Sequence, residues 1–182
     1  HTAKTAGTTI KFILGNSLGL SHCNIRTLRG DGKCTDADIR FARRAYFGLR
    51  SISGHTLMSP SLRLQTPVDY FTILRDPVSR CAFHYQQYAR HREVQGLDSD
   101  LEEYLSSPNR QNRQVRKIAG EADLQLALEE IDRSYFFVGL MEQFQESISI
   151  LGRLSPYPLD LRYHRMNVTR KVGDRKAWLD DP

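Results

Sequence analysis

The first ten residues, HTAKTAGTTI, combine a lysine, a glycine and three threonines at a spacing suited to binding an anion. Gly7 allows a tight turn, and a helix is expected from Thr8 onward. The unpaired amides and the positive dipole end of that helix would face the turn. Lys4 adds a cation, and Thr5, Thr8 and Thr9 add hydroxyl donors. The pattern predicts an oxyanion site at the start of the chain.

The order of residues in this loop differs from that of the phosphate-binding loop of ATP-using enzymes. That loop reads G-x-x-x-x-G-K-S/T, with its lysine directly after the second glycine. Here Lys4 comes before Gly7, the only glycine of the stretch. A kinase that uses ATP is therefore an alternative that the order of residues argues against.

Two further stretches place chemically useful side chains at the ends of predicted strands. In LRDPVSR, Arg75 follows a strand and Ser79 falls in the first turn of the next helix. An arginine fork and a serine hydroxyl beside helix amides suit a phosphate group. In SGHT, His55 stands among small residues just before the strand predicted in PVDYFTIL. Parallel α/β sheets bind ligands at this edge, so we expect the three stretches to lie together.

Length and composition are those of one globular domain with a basic surface. The chain has 182 residues, 40% of them hydrophobic, and a net charge of +5. This balance suits an anionic partner, namely a nucleotide, a nucleic acid or an acidic polysaccharide. Basic runs interleaved with aromatic residues are absent, which argues against nucleic acid. No apolar run is long enough to predict a membrane contact within this segment.

The order of predicted elements is that of an α/β fold. Strands alternate with helices, which favours a layered domain with a central parallel sheet flanked by helices. Ser99 to Glu102 is read as a capping box that opens one of the helices. The sequence predicts helices at Thr8–Leu14, Ala37–Leu49, Val78–Arg92, Ala122–Arg133 and Met141–Leu154, strands in PVDYFTIL and SYFFVGL, and a short strand or a turn in SISGHTL.

Five stretches, in order along residues 1–150, resemble motifs of the carbohydrate sulfotransferases. HTAKTAGTT resembles their 5′-phosphosulfate loop, and FTILRDPVSRCAFHY is similar to their 3′-phosphate element. SGHTLMS, NRQVRKIAG and FFVGLMEQFQESISIL resemble segments of the branch related to heparan sulfate 2-O-sulfotransferase and uronyl sulfotransferases. The resemblance implies a single sulfotransferase domain over residues 1–182 with a P-loop-like three-layer fold. By the same comparison, the strand expected before His1 is missing and the C-terminal end is short, so we expect a domain clipped at its N-terminal strand and at its C-terminus. Ala3 departs from the proline usual in this loop.

The resemblance also implies a cofactor and a reaction. The cofactor is 3′-phosphoadenosine 5′-phosphosulfate (PAPS), which becomes 3′-phosphoadenosine 5′-phosphate (PAP) after its sulfuryl group passes to a carbohydrate hydroxyl without a metal ion. Lys4 would stabilise the leaving phosphate, and His55 would be the general base. Arg75 and Ser79 would hold the 3′-phosphate. The 5′-phosphate would lie against the loop residues Thr5, Ala6, Gly7, Thr8 and Thr9.

Several polar residues admit two interpretations each. Asn112, Gln114 and Arg116 either line the cleft or belong to a solvated helix face. The basic cluster around them, which includes Arg110, Arg113 and Lys117, would either steer an acidic polysaccharide acceptor or face solvent. Asn167 and Thr169 form an N-x-T sequon; they are candidates for the cofactor side or, less favoured, for glycosylation.

Alternatives also remain for the base, the thiols and the compartment. His84 and His1 are rivals of His55, although His84 is expected to pack on its helix. Cys23 and Cys34 are either disulfide-bonded or, the favoured reading, free thiols. A bacterial protein would be cytoplasmic, the slightly favoured option, and a eukaryotic one would lie in the Golgi lumen. A non-catalytic anion-binding module is the remaining functional alternative.

Overall fold

The computed structural model describes residues 5–25, 34–57 and 68–163, and short strands alternate with helices in these ranges. None of the described helices is both long enough and apolar enough to span a membrane. Two 3₁₀ turns, Gly19–Ser21 and Met141–Gln143, join neighbouring elements. The helices are α1 Gly7–Leu18, α2 Asp36–Ala45, α3 Pro77–Val94, α4 Leu101–Ser106, α5 Arg113–Ala119, α6 Leu124–Ser134 and α7 Phe144–Leu154, and the strands are β1 His22–Asn24, β2 Ser51–Ser53, β3 Tyr70–Leu74 and β4 Tyr135–Leu140.

The strands form two parallel pairs. Cys23 of β1 lies opposite Ile52 of β2, and Ile73 of β3 lies opposite Gly139 of β4. Parallel pairing connected through helices confirms the mixed α/β class. The described residues form two separate two-stranded sheets, so the single central sheet of a three-layer domain stays a prediction.

The largest core cluster holds α1 and α7 against the β3–β4 pair. Ile13 of α1, Ile73 of β3 and Ile148 of α7 are almost completely buried there. Gly139 allows α7 to approach β4 closely, because a Cβ at this position would lie 2.8 Å from the Cβ of Ser147. Burial of each large aliphatic side chain contributes about 1.5–3 kcal/mol. This packing fixes the helix that follows the first loop against the strand that leads to Arg75.

A second cluster joins β1, α2 and the start of β2. It contains both Cys23 and Cys34, which are buried free thiols. Cys81, outside this cluster, is a partly exposed free thiol. The favoured interpretation of the cysteines is therefore confirmed over the disulfide. Burial raises the pKa of the Cys34 thiol to about 11, and the charges of Asp38 and Cys23 add to the shift. Both thiols are protonated at neutral pH and pack as small apolar groups.

Several helix boundaries differ from the predicted ones: α6 begins at Leu124 rather than Ala122, and a 3₁₀ turn replaces the predicted first turn of α7 at Met141. Thr35 closes a capping box with Asp38 at the start of α2, and Pro77 begins α3. The predicted capping box at Ser99 is wrong, because Asp100 is the N-cap and accepts the N–H of Glu102 at 2.8 Å. With Asp100 as the N-cap, Glu102 is the second helical residue rather than the third, the position from which a side chain bonds to the N–H of the N-cap residue in a capping box. Helix α2 ends at Ala45 rather than Leu49, since the chain turns there to enter β2.

Candidate functional site

The first loop leads into a helix whose N-terminus has no side-chain cap. Ala6 has a left-handed backbone conformation with φ 56°, which is uncommon for a residue with a Cβ. Helix α1 then begins at Gly7, with no described side chain capping it and no acidic residue in its first turn. Thr5 and Thr9 are buried, and Thr8 is exposed. The amides and dipole of this first turn attract an anion. Lys4 lies outside the described residues.

Arg75 leaves the carboxyl end of β3 and is held in place through both its backbone and its side chain. Its guanidinium carbon lies 4.1 Å from the centroid of the Phe83 ring. The side-chain amide of Gln114 accepts the N–H of Arg75 at 2.9 Å and donates to its carbonyl at 2.7 Å. A stacked guanidinium on a fixed backbone is preorganised for a phosphate group.

Ser79 belongs to the cap of α3. The carboxylate of Asp76 accepts the Ser79 N–H at 2.8 Å, and the hydrogen bonds from the Ser79 amide and hydroxyl lower the pKa of Asp76. The N–H of Asp76 itself donates to Glu142 at 3.1 Å. The serine hydroxyl therefore already has an acceptor, and it would have to exchange that acceptor to contact a ligand.

His55 follows β2 at the same kind of strand end. The residue before it, Gly54, packs closely against the carbonyl oxygen of Ile25. Any other residue would place a Cβ 2.8 Å from that oxygen, which is too close, so only glycine fits here. Desolvation lowers the pKa of His55 from its ordinary value of 6.5, and the ammonium groups of Lys11 and Lys117 lower it further. His55 is therefore a neutral imidazole at neutral pH, the form that accepts a proton.

Helix α5 connects the two strand ends. Gln114 clamps the backbone of Arg75, and Lys117, three residues later on the same face, donates to the carbonyl of His55. Burial lowers the pKa of Lys117 to about 8, with Arg113 contributing and Cys34 opposing. The structure thus ties Arg75 and His55 to a single helix. The sequence singled out Gln114, but it carried no signal for the contact of Lys117 with His55 beyond the spacing of three.

The other predicted site residues have diverse placements. Asn112 is exposed in a left-handed conformation and precedes α5. Arg116 is partly buried, and its Nε has no hydrogen-bond partner among the described residues. Asn167 and Thr169 lie outside the described residues. His84 is engaged on both ring nitrogens, by Tyr104 at 2.5 Å and by Arg113 at 2.8 Å.

The clamp on Arg75 can be tested without any assumption about function. Gln114→Ala leaves the N–H and carbonyl of Arg75 without these partners, so we expect the free energy of unfolding to fall by about 2 kcal/mol. Gln86→Ala is the matched control, since Gln86 is exposed on α3, and it should change stability by less than about 0.5 kcal/mol. Urea titration measures both. Equal stability of the two variants would show that the clamp contributes nothing.

Comparison of the chain with models of known protein families, with curated proteins and with solved structures found no match. Within residues 5–25, 34–57 and 68–163, no group of three or more His, Cys, Asp or Glu side chains is arranged to hold a metal ion.

Proposed function

We propose that the protein is a sulfotransferase that moves a sulfuryl group from PAPS to a carbohydrate hydroxyl, on a P-loop-like α/β fold. The observation that carries the proposal is the double attachment of α5. Gln114 fixes the residue predicted to bind the 3′-phosphate, and Lys117 fixes the residue predicted to act as base. One helix attached to both residues would hold the nucleotide site and the base in a fixed relative geometry, which favours transfer between two bound substrates.

Described residues are proposed to bind the 5′-phosphate and the 3′-phosphate of the nucleotide. The uncapped first turn of α1, with Gly7, Thr8 and Thr9, offers amides and hydroxyls to the 5′-phosphate. Arg75 offers a stacked guanidinium to the 3′-phosphate. Ser79 has a smaller role in this proposal because its hydroxyl already serves Asp76. Asn167 and Thr169 are further candidates on the cofactor side.

The remaining roles follow from the chemistry of sulfuryl transfer. PAPS supplies an activated sulfuryl group whose charge is lower than that of a γ-phosphoryl group, and the proposal requires no metal ion. Neutral His55 takes the proton of the acceptor hydroxyl. Lys4 neutralises the charge that develops on the departing phosphate oxygen.

The acceptor in this proposal is a polysaccharide, most favourably one that contains uronic acids. Its carboxylates would be attracted by the positive side chains that precede and follow Gln114 along the chain. Asn112 and Arg116 are the residues of this stretch proposed to face the acceptor. A net charge of +5 favours the approach of such a polyanion.

Calorimetric titration with PAP, with ADP as the control and no metal added, tests the proposal. We expect PAP to bind about thirtyfold more tightly than ADP, because one charge-assisted contact to the 3′-phosphate contributes about 2 kcal/mol. Arg75→Ala should remove most of this preference. Arg44→Ala, which removes an exposed arginine on α2, should leave it intact.

Two results would count against the proposed function, and a third would count against the role of Arg75 alone. Equal binding of PAP and ADP by the folded protein would contradict a site for the 3′-phosphate. Preference for ADP in the presence of magnesium would favour the kinase alternative. Unchanged preference in Arg75→Ala would show that another residue reads the 3′-phosphate.

A further inference from the structure

A cavity of about 320 Å³ lies between the start of α3, helix α4 and the segment that leads into α5. Three of its lining residues are arginines, Arg80, Arg110 and Arg113, and none is an aspartate or a glutamate. Three guanidinium groups without a carboxylate create a strongly positive concave surface. Such a surface attracts an anion.

Arg80 is the most unusual member of this cavity. Only 5% of the residue is exposed, and its Nη1 has no hydrogen-bond partner among the described residues. No ion pair between described residues involves it. An arginine stays charged inside a protein, so a buried guanidinium without a counter-ion is costly. A bound anion would offset that cost.

The hydrogen bonds of His84 leave the hydroxyl proton of Tyr104 available as a donor at the same cavity. Arg113 can only donate, so Nε2 of His84 accepts its hydrogen bond at 2.8 Å. Nδ1 of His84 then carries the ring proton and donates to the Tyr104 oxygen at 2.5 Å. The hydroxyl proton of Tyr104, a residue that lines the cavity and is 1% exposed, is left for another acceptor.

Arg110 is fixed against the aromatic side of the cavity. Its guanidinium carbon lies 4.2 Å from the Tyr88 ring centroid and 4.7 Å from that of Tyr104. Stacking holds the guanidinium plane on the rings and leaves its N–H groups, which have no described acidic partner, at the edge. Three cations and one hydroxyl are therefore preorganised around one space.

We propose that this cavity binds a sulfate or phosphate group. A tetrahedral oxyanion has enough acceptor oxygens to use the guanidinium donors of Arg80, Arg110 and Arg113 together with the Tyr104 hydroxyl. The volume exceeds that of a bare ion and admits an esterified group, such as a sugar sulfate or a nucleotide phosphate. The residues differ from those assigned to the 5′- and 3′-phosphates above, and the inference does not depend on the proposed function.

Titration of the full 182-residue chain with inorganic phosphate and with sulfate tests the site, at an ionic strength held constant with sodium chloride. Calorimetry should show saturable binding in the millimolar range or tighter, and acetate should bind more weakly. Both tetrahedral ions should also raise the melting temperature, because a ligand that binds only the folded state stabilises it. Arg113→Gln should weaken binding by about tenfold or more.

Two further variants keep the test decisive. Arg80→Gln removes a buried charge. In the absence of phosphate, its melting temperature should therefore be no lower than that of the wild type. Phosphate should not raise the melting temperature of this variant. Arg90→Gln, on an exposed face of α3, should bind phosphate as the wild type does. If Arg80→Gln does not fold, the comparison of Arg113→Gln with Arg90→Gln decides alone. Equal phosphate affinity of these two variants, or no saturable binding, would overturn the proposal.

The source of the group can be identified with the same variants. PAP and N-acetylglucosamine 6-sulfate are titrated against the wild type and Arg113→Gln. If Arg113→Gln weakens only the binding of PAP, the site is supported and assigned to a nucleotide phosphate. If it weakens only the binding of the sugar sulfate, the site is supported and assigned to a sugar ester. If Arg113→Gln weakens none of PAP, the sugar sulfate and inorganic phosphate, the cavity is not an oxyanion site.

Discussion

Lys4→Ala is expected to lower the rate of sulfuryl transfer by about 100- to 1000-fold, the cost of removing one group that stabilises charge developing in a transition state. The loss should fall on kcat more than on nucleotide binding, because the charge on the leaving phosphate oxygen grows only as the bond breaks. The assay follows radiolabelled sulfate from PAPS to unsulfated hyaluronan or chondroitin. Far-UV circular dichroism checks that the variant is folded.

Two comparisons separate this role from a general effect of charge. Lys4→Arg keeps the charge but carries a broader, planar head group, so it should recover only part of the rate. Lys11→Ala removes a cation from helix α1, outside the loop motif. At pH 8 it should have little effect, since His55 is neutral there with or without Lys11. Transfer by Lys4→Ala at the wild-type rate would remove the lysine from the mechanism.

The turn around Gly7 shows which part of the site could be predicted from sequence. A glycine followed by two threonines and an apolar stretch has few folded outcomes, and α1 begins at Gly7, one residue before the predicted start. The same holds for Arg75, because Asp76 and Pro77 mark a strand end and a helix start together. Local chemistry decides these positions, so a local pattern is enough to find them.

The contacts of α5 could not be predicted in this way. Gln114 binds a backbone 39 residues away, and Lys117 binds one 62 residues away. A pattern along the chain indicates that these side chains are polar, but their partners depend on how the sheets and helices pack. Arg80 was overlooked for the same reason. The sequence pattern indicates a helix-surface arginine, but tertiary packing leaves only 5% of the residue exposed.

The division of the strands into two pairs also escaped prediction. β-branched and aromatic residues predict β3 and β4, whereas β1, His22–Asn24, lies in a polar stretch for which no strand is predicted. Partner choice is in addition a long-range property. β3 and β4 are separated by four helices and still pair in parallel, with 5.7 Å between the ring centroids of Tyr70 and Tyr135. The periodicity of a strand does not specify which strand lies beside it.

His55→Ala is expected to lower the transfer rate by about 100- to 10,000-fold, the range found for removal of a positioned general base. PAP should bind the variant as it binds the wild type, since the proposed contacts of the nucleotide lie in the first loop and at Arg75. His91→Ala is the matched control, because His91 is exposed near the end of α3. Calorimetry with PAP and the sulfate-transfer assay are run on all three proteins.

The pH profile gives an independent test of the same assignment. The pKa of His55 lies below 6.5, so the base is neutral above that pH, and kcat/KM should fall only as the pH drops through the lowered pKa. Lys11→Gln removes one of the charges that lower this pKa. The acid limb of its profile should therefore move to higher pH. On the alkaline side, kcat/KM should stay constant through pH 8. Lys117 loses its charge near that pH, which raises the pKa of His55, but His55 is already deprotonated there.

These results together distinguish a base from a merely structural histidine. A structural role for His55 would lower stability or PAP affinity and leave the acid limb where it is in Lys11→Gln. A catalytic role moves that limb while PAP affinity stays constant. If His55→Ala keeps the wild-type rate, the base is another residue. His84 would then be a weak replacement, because both of its ring nitrogens are already engaged by Arg113 and Tyr104.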